Sequence, residues 1–430
     1  MYNREQLSHK RSIKTKVKRK GFQRMKELRL GVIGCTNRGT LADNAHKAEE
    51  GVRIVAGADI YPDARELFLK RYEENFQCKP NVYADYREMI EKENLDGVFI
   101  TAPDFLHEEM GVFALEHKVP VYMEKPLAIT LEGADRILEA AYRNRTKLVV
   151  GHNMRYMDFT RKMKALIDAG EIGEVKTIWC RHFVCYGGDA YFKDWHAVER
   201  YANTMLLQKG AHDIDVIHWL ANGYSTRVHG MGNLTVYDKL PRRDASQKRI
   251  PYTKVATWSD SHWPPEATGG YYPEIEVNDL NMIQMTLDNG VLACYLQCHY
   301  APDSCRNYTV IGTRGRIENH GSNEIQLWNN RECKYRIYGD TTYRMPKTTG
   351  GHGGADPRIV QSFVDALRSK YDVWSTPQAA RYSVAAGCAG ADSMRQGNCA
   401  VDIPRLPDYL ENFDFARAEE RSAEQEEKGV

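Results

Sequence analysis

Short apolar runs and amphipathic stretches alternate over the first third of the chain. Residues 28–33 (LRLGVI), 52–58, 97–101, 119–123 and 147–151 are apolar runs bounded by polar or turn residues, the pattern of strands buried on both faces. Between them, 38–49, 62–75, 105–116 and 131–144 carry a helical period. The second of these opens with Pro62 and Asp63, which suit a first helical turn. Strand–helix alternation predicts an α/β unit with a doubly wound parallel sheet.

After Gly151 the pattern changes. A helix is expected over 159–169, ending at Gly170, and a strand over 175–184. Residues 275–318 alternate with a period of two, and Asp288-Asn289-Gly290 marks a hairpin turn. The second unit is therefore expected to be α+β, with a large, open, mainly antiparallel sheet. The polar, Pro-bearing stretch 237–274 reads as an excursion over the surface. The expected divisions are a basic tail at 1–24, a first domain at 25–151, a sheet domain at 152–400 and a C-terminal tail at 401–430. Met25, just before the first strand, is an alternative biological start to the basic tail.

The chain has 430 residues, enough for two cores, and its 42% hydrophobic and 27% charged content is globular. A net charge of +1 gives no reason to expect nucleic acid or anionic lipid as partner. No apolar run approaches the ~18 residues of a membrane span, and no secretory signal follows the basic start. The ten cysteines are scattered without metal-site spacing, so reduced thiols in a cytoplasmic protein are expected, with no metal.

The first strand runs into Gly34-Cys35-Thr36-Asn37-Arg38-Gly39. This keeps the first and third glycines of the G-x-G-x-x-G dinucleotide fingerprint and places Thr36 at the second. Asp59 ends the second strand, where a carboxylate accepts hydrogen bonds from ribose hydroxyls and repels a 2′-phosphate. That favours NAD over NADP. Asp59 can equally cap the next helix.

Further motifs follow in order. Thr101-Ala102-Pro103-Asp104-x-x-His107 comes first, then Glu124-Lys125-Pro126, then Gly151-His152-Asn153-Met154-Arg155-Tyr156. Gly210-Ala211-His212-Asp213-Ile214-Asp215 comes last. Together these resemble the Gfo/Idh/MocA oxidoreductases (glucose–fructose oxidoreductase, inositol dehydrogenase, rhizopine catabolism) across roughly 28–400. The resemblance implies that Lys125 lies beside the nicotinamide and the reacting hydroxyl, with Pro126 fixing it, and that His212 accepts the proton. It places Gly34, Thr36, Asn37, Arg38, Asp59, Thr101, Pro103, His107, Glu124 and Lys125 at the cofactor. Many relatives carry Asp four residues before this His. Here that position is Gln208, which leaves open whether Asp213 or Asp215 compensates.

The chemistry agrees with these expectations. Alcohol oxidation needs a hydride acceptor, a base near neutrality and a donor for the developing alkoxide. Arg155, Tyr156, Gln208 and Asp215 are expected on the substrate side, with Trp195 and His196 from an aromatic loop and His352 from a Gly-rich one. Aromatic and polar groups together suit a sugar, glycoside or cyclitol. The expected function is NAD-dependent hydride transfer at a ring hydroxyl. Redox-neutral glycoside cleavage with bound NAD and a non-catalytic dinucleotide or sugar sensor are the alternatives. The resemblance also implies a homodimer or homotetramer.

Overall fold

The computed structural model describes residues 26–185, 188–247, 249 and 263–419. The basic stretch 1–24, the Met25 alternative, most of the excursion's centre and the chain beyond 419 lie outside the described residues.

The first sheet is built from β1 (Leu28–Ile33), β2 (Val52–Ala58), β3 (Asn81–Tyr83), β4 (Gly97–Ile100), β5 (Val121–Met123) and β6 (Leu148–Val150). Its order is β3-β2-β1-β4-β5-β6 and every neighbouring pair is parallel. The four residues of β4 are all buried, as a strand covered on both faces requires. Helices α1 (Pro62–Phe76), α2 (Tyr86–Lys92), α3 (His107–Glu116) and α4 (Leu131–Arg143) accompany it. In α4, Thr130 caps the N-terminus by accepting from the Gly133 N–H.

The segment 38–49, expected as one helix, is instead two 3-10 stretches, Asn37–Ala45 and Ala48–Glu50. Gly39, Thr40, Asp43 and Asn44 are weak helix formers, and the turn beside Gly34 is too tight for a regular α-helix. The fingerprint turn is therefore followed by a 3-10 stretch and not by the N-terminus of an α-helix.

The second sheet has nine strands: β7 (Val175–Phe183), β8 (Ser225–Asn233), β9 (Leu280–Leu287), β10 (Leu292–Cys298), β11 (Cys305–Gly312), β12 (Arg316–His320), β13 (Glu324–Trp328), β14 (Thr341–Arg344) and β15 (Val401–Asp402). Their order is β14-β13-β12-β11-β7-β10-β9-β8-β15, antiparallel except for the β7/β10 pair. The predicted hairpin joins β9 to β10: Gly290 has φ +80°, and the Leu287 N–H donates to the Val291 carbonyl at 3.0 Å.

The remaining helices are α5 (Asp158–Asp168), α6 (Glu199–Ala202), α7 (Met205–Gln208), α8 (Ala211–Ala221), α9 (Gly351–Leu367), α10 (Pro377–Arg395) and α11 (Asp408–Glu411). Ile214 and Ile217 of α8 and Ala385 and Ala389 of α10 form one core with Ile283, Met285, Tyr295 and Tyr308 of the second sheet. Helix α10 lies very close to β8: a Cβ on Gly230 would stand 2.3 Å from the Gly390 carbonyl oxygen. On the outer face of this sheet Met231, Met282 and Leu292 are exposed. Helix α9 returns to the first sheet, where Phe363 packs 5.2 Å from Phe99 and 5.9 Å from Tyr122, ring centre to ring centre. Among the described residues no helix is long and apolar enough to cross a membrane.

Candidate active site

The fingerprint turn is tight and its glycines are needed. Gly34 sits at φ +89°, and a Cβ there would meet the Ala102 nitrogen at 2.8 Å. A Cβ on Gly39 would lie 2.0 Å from the Gly34 carbonyl oxygen. Asn37 takes φ +48°, a left-handed conformation that asparagine tolerates. Thr36 makes no capping bond with its side chain. The Thr101 hydroxyl donates to the carbonyls of Ile33 (3.0 Å) and Gly34 (2.9 Å), tying the end of β4 to this turn. The result is a backbone cradle whose shape fits a pyrophosphate. Gly39→Ala is expected to cost about 1–3 kcal/mol through overpacking and to weaken NAD binding. Thermal unfolding and an NADH fluorescence titration check this, and unchanged values for both would refute it.

Asp59, at the end of β2, accepts from the backbone N–H groups of Cys35 and Tyr61, each at 3.0 Å. Its carboxylate is thus held beside the turn. It does not cap α1, whose N-cap position is Tyr61. Burial pushes its pKa up, opposed by these two hydrogen bonds and by Arg65 and Arg249.

Arg38 ties three elements together. Its Nε donates to Glu124 at 2.7 Å, and its two Nη atoms donate to Asp356 at 2.7 and 3.0 Å. Asp356 also accepts from Asn153 at 2.7 Å and lies 3.0 Å from His352 Nδ1. Glu124 in turn accepts from the Lys125 backbone N–H at 3.1 Å. His107 is fully buried, with ring nitrogens 2.7 and 2.9 Å from the carbonyls of Pro126 and Ala102. It fastens the Lys125–Pro126 turn to the loop after β4, in which Pro103 starts the short 3-10 stretch Asp104–Leu106. Asn153, from the motif at 151–156, and Asp356, which no motif marks, both belong to this network.

Lys125 is the centre of the site. Its Nζ donates to the Gln208 carbonyl at 2.8 Å. Burial lowers its pKa, and Asp104 and Glu124 oppose that shift. Asp104 is only 5% exposed and its Oδ2 has no hydrogen-bond partner. Burial raises its pKa against the opposing pull of Lys125 and the side-chain amide of Gln208. Asp104, in the loop after β4, is the carboxylate with the largest electrostatic effect on Lys125, at more than ion-pair distance. Asp104 stands inside a motif visible in the sequence, but nothing there shows its electrostatic effect on Lys125.

His212, in the first turn of α8, is 4% exposed and its Nδ1 has no partner. Burial first, then Lys125, Arg306, Lys209 and His352, hold its pKa well below the usual histidine range. His352 stands near it, ring centres 6.2 Å apart.

Neither Asp213 nor Asp215 fills the place left open by Gln208. Asp215 accepts from Arg155 Nε and Nη2 at 2.8 and 2.7 Å. Asp213 engages Arg306 Nε at 2.9 Å and the hydroxyls of Tyr295 (3.0 Å) and Tyr308. Arg155, expected to face substrate, spends its third donor on the Trp374 carbonyl at 2.9 Å. The Tyr156 hydroxyl donates to Ser362 at 3.1 Å, and its ring stacks on Trp374. These residues bind the two sheets and α9 to one another. Trp195 and His196 stack with ring centres 3.7 Å apart. Burial first, then the charges of Lys125 and Lys209, push the His196 pKa down to about 3.

The model for the NAD-binding Rossmann fold of the Gfo/Idh/MocA oxidoreductase family matches residues 28–152, and that for the family's C-terminal α/β domain matches 164–403. A Bacillus subtilis (strain 168) protein named YteT is 27% identical over 343 residues, 70% of this chain and 80% of that protein. The inositol 2-dehydrogenase of Burkholderia lata is 33% identical over 232 residues, 52% of this chain and 62% of that enzyme, so less than two thirds of its length is spanned. A levoglucosan dehydrogenase solved with NADH and levoglucosan superposes with a TM-score of 0.70 over 88% of this chain and 100% of that one, at 19% identity, which shows a shared fold.

Proposed function

Because the chain belongs to the Gfo/Idh/MocA oxidoreductase family, we propose that it oxidises a ring hydroxyl of a sugar, glycoside or cyclitol with NAD as the acceptor. The observation that carries this reading is the half-buried Lys125 ammonium, held 2.8 Å from the Gln208 carbonyl at the end of α7, with His212 in the first turn of the following helix α8. When bound, the nicotinamide supplies the hydride-accepting carbon. Lys125 donates a hydrogen bond to the substrate oxygen and stabilises it as charge develops. The Gln208 carbonyl accepts from the Lys125 ammonium and favours its charged form. His212 takes the hydroxyl proton on a ring nitrogen, which needs the unprotonated imidazole that its surroundings favour.

The cradle of Gly34 and Gly39 would hold the pyrophosphate, and Asp59 the adenosine ribose. A carboxylate there favours NAD over NADP, because a 2′-phosphate would meet like charge. Asp59→Ala removes a charged acceptor worth ~1.5–3 kcal/mol. It is expected to weaken NAD roughly 10–100-fold while leaving NADP much less affected. Titrations with both reduced cofactors check this, and equal losses for the two would contradict the assignment.

The names of relatives, inositol 2-dehydrogenase and levoglucosan dehydrogenase, support a polyhydroxylated ring as substrate. We further propose a cytoplasmic homodimer or homotetramer. The exposed Met231, Met282 and Leu292 on the outer sheet face and the ten unbridged cysteines support this. The enzymatic test is NADH formation by purified protein with NAD and a panel of sugars, inositols and glucosides. A rise with one class supports the reading. A flat panel from protein that binds NAD contradicts it.

A further inference from the structure

One charged group has no part in the chemistry above. Lys209 follows α7 and precedes α8, next to the carbonyl that holds Lys125, and is 9% exposed. Its Nζ lies over the Tyr191 ring, 5.4 Å from the centroid. Among the described residues it makes no side-chain hydrogen bond or ion pair. The carboxylate that acts on it is Asp213, already engaged by Arg306 Nε at 2.9 Å and by two tyrosine hydroxyls. Tyr191 also meets His196 and His299, at 5.3 and 5.5 Å between ring centres. His299 is 1% exposed and neither of its ring nitrogens has a partner.

An ammonium buried without a counterion is costly, and so are unpaired donors beside it. Burial, Arg306 and Lys125 all act against the charge on Lys209. A site that gathers such groups is completed by an anion. The lysine is one residue from Gln208, whose carbonyl holds Lys125, and it shares the Tyr191–His196 surface, so a molecule that reaches Lys125 can bring the anion.

We infer that the substrate carries a carboxylate, as a hexuronate or a glycoside of one does, and that Lys209, flanked by Tyr191 and His299, binds it. The inference rests on the sugar-type substrate proposed above. A single ammonium with a neighbouring imidazole matches one carboxylate. A phosphate more commonly draws an arginine fork or a backbone nest.

Binding decides the matter without turnover. The full-length protein, saturated with NADH, is titrated calorimetrically with D-glucuronate and D-galacturonate, with the matched hexoses and with their 6-phosphates. The wild type is expected to bind at least one uronate about tenfold or more tighter than its hexose, a difference of ~1.4 kcal/mol. Lys209→Met should erase that preference without lowering the melting temperature or NADH affinity, and Lys209→Arg should restore part of it. A lysine needed only for structure would instead lower the melting temperature on replacement. Equal binding of uronate and hexose, a preference that survives Lys209→Met, or a preference for the phosphates would overturn the inference. NADH formation from neutral sugars alone would leave the oxidoreductase reading intact while removing this one. Lys209-dependent uronate binding without any NADH formation would do the reverse.

Discussion

Lys125→Met is expected to lower kcat by about 10²–10³-fold, or ~2.7–4 kcal/mol, the usual effect of removing one preorganised donor from a developing oxyanion. The methionine keeps the volume and the apolar stem, so the surrounding loop should hold its shape. That loop is fixed independently by His107, whose ring nitrogens contact the carbonyls of Pro126 and Ala102, and by Arg38 bound to Glu124. NADH affinity should therefore change little. The loss should fall on kcat, because the hydrogen bond strengthens as the alkoxide forms. Steady-state kinetics alongside an NADH titration separate the two effects. Unchanged kcat, or a loss explained wholly by weaker cofactor binding, would show that Lys125 is a structural residue.

Asp213→Asn is expected to destabilise the protein by about 3–5 kcal/mol, the cost of removing one partner from a buried ion pair. Asp213 is fully buried and accepts from Arg306, Tyr295 and Tyr308, with His182 Nδ1 3.1 Å away. An asparagine keeps the shape but removes the charge, and its amide turns a donor toward groups that also donate. Arg306 then loses the carboxylate it pairs with at 2.9 Å. Burial alone would raise the Asp213 pKa, but Arg306 and His182 together with the hydrogen bonds from His182 and Tyr308 hold it well below the usual carboxylate range. The stabilisation is therefore fully present above the unfolded value of ~3.9 and is lost as pH falls through the lower folded value. Denaturant midpoints for wild type and variant should differ widely at neutral pH and converge in acid. Equal midpoints at neutral pH would contradict the assigned role.

The alternating runs of the first domain were readable because a strand covered on both faces has to be apolar throughout, as β4 is. The turn after β9 was readable because Asp-Asn-Gly suits the positive φ that Gly290 adopts. The motifs around Lys125 and His212 were also visible, and the structure brings both residues to one place. Partnerships across long separations were not visible. Arg155 and Asp215 look like substrate ligands in the sequence, yet they neutralise each other across 60 positions of chain. Asp104, in the loop after β4, acts on Lys125 electrostatically, which no spacing in the sequence shows. The failure at 38–49 is of another kind: the stretch has almost no helical apolar period, and Gly39 and the close approach to Gly34 force a tighter turn.

The most direct test of the account is the stoichiometry of reduced nicotinamide when the protein converts a sugar or cyclitol from the panel. The account predicts one NADH for each ring ketone formed, lost in both Lys125→Ala and His212→Ala while NAD binding persists. Conversion of a glycoside with no accumulation of NADH, or NAD binding with no turnover of any substrate, would contradict it.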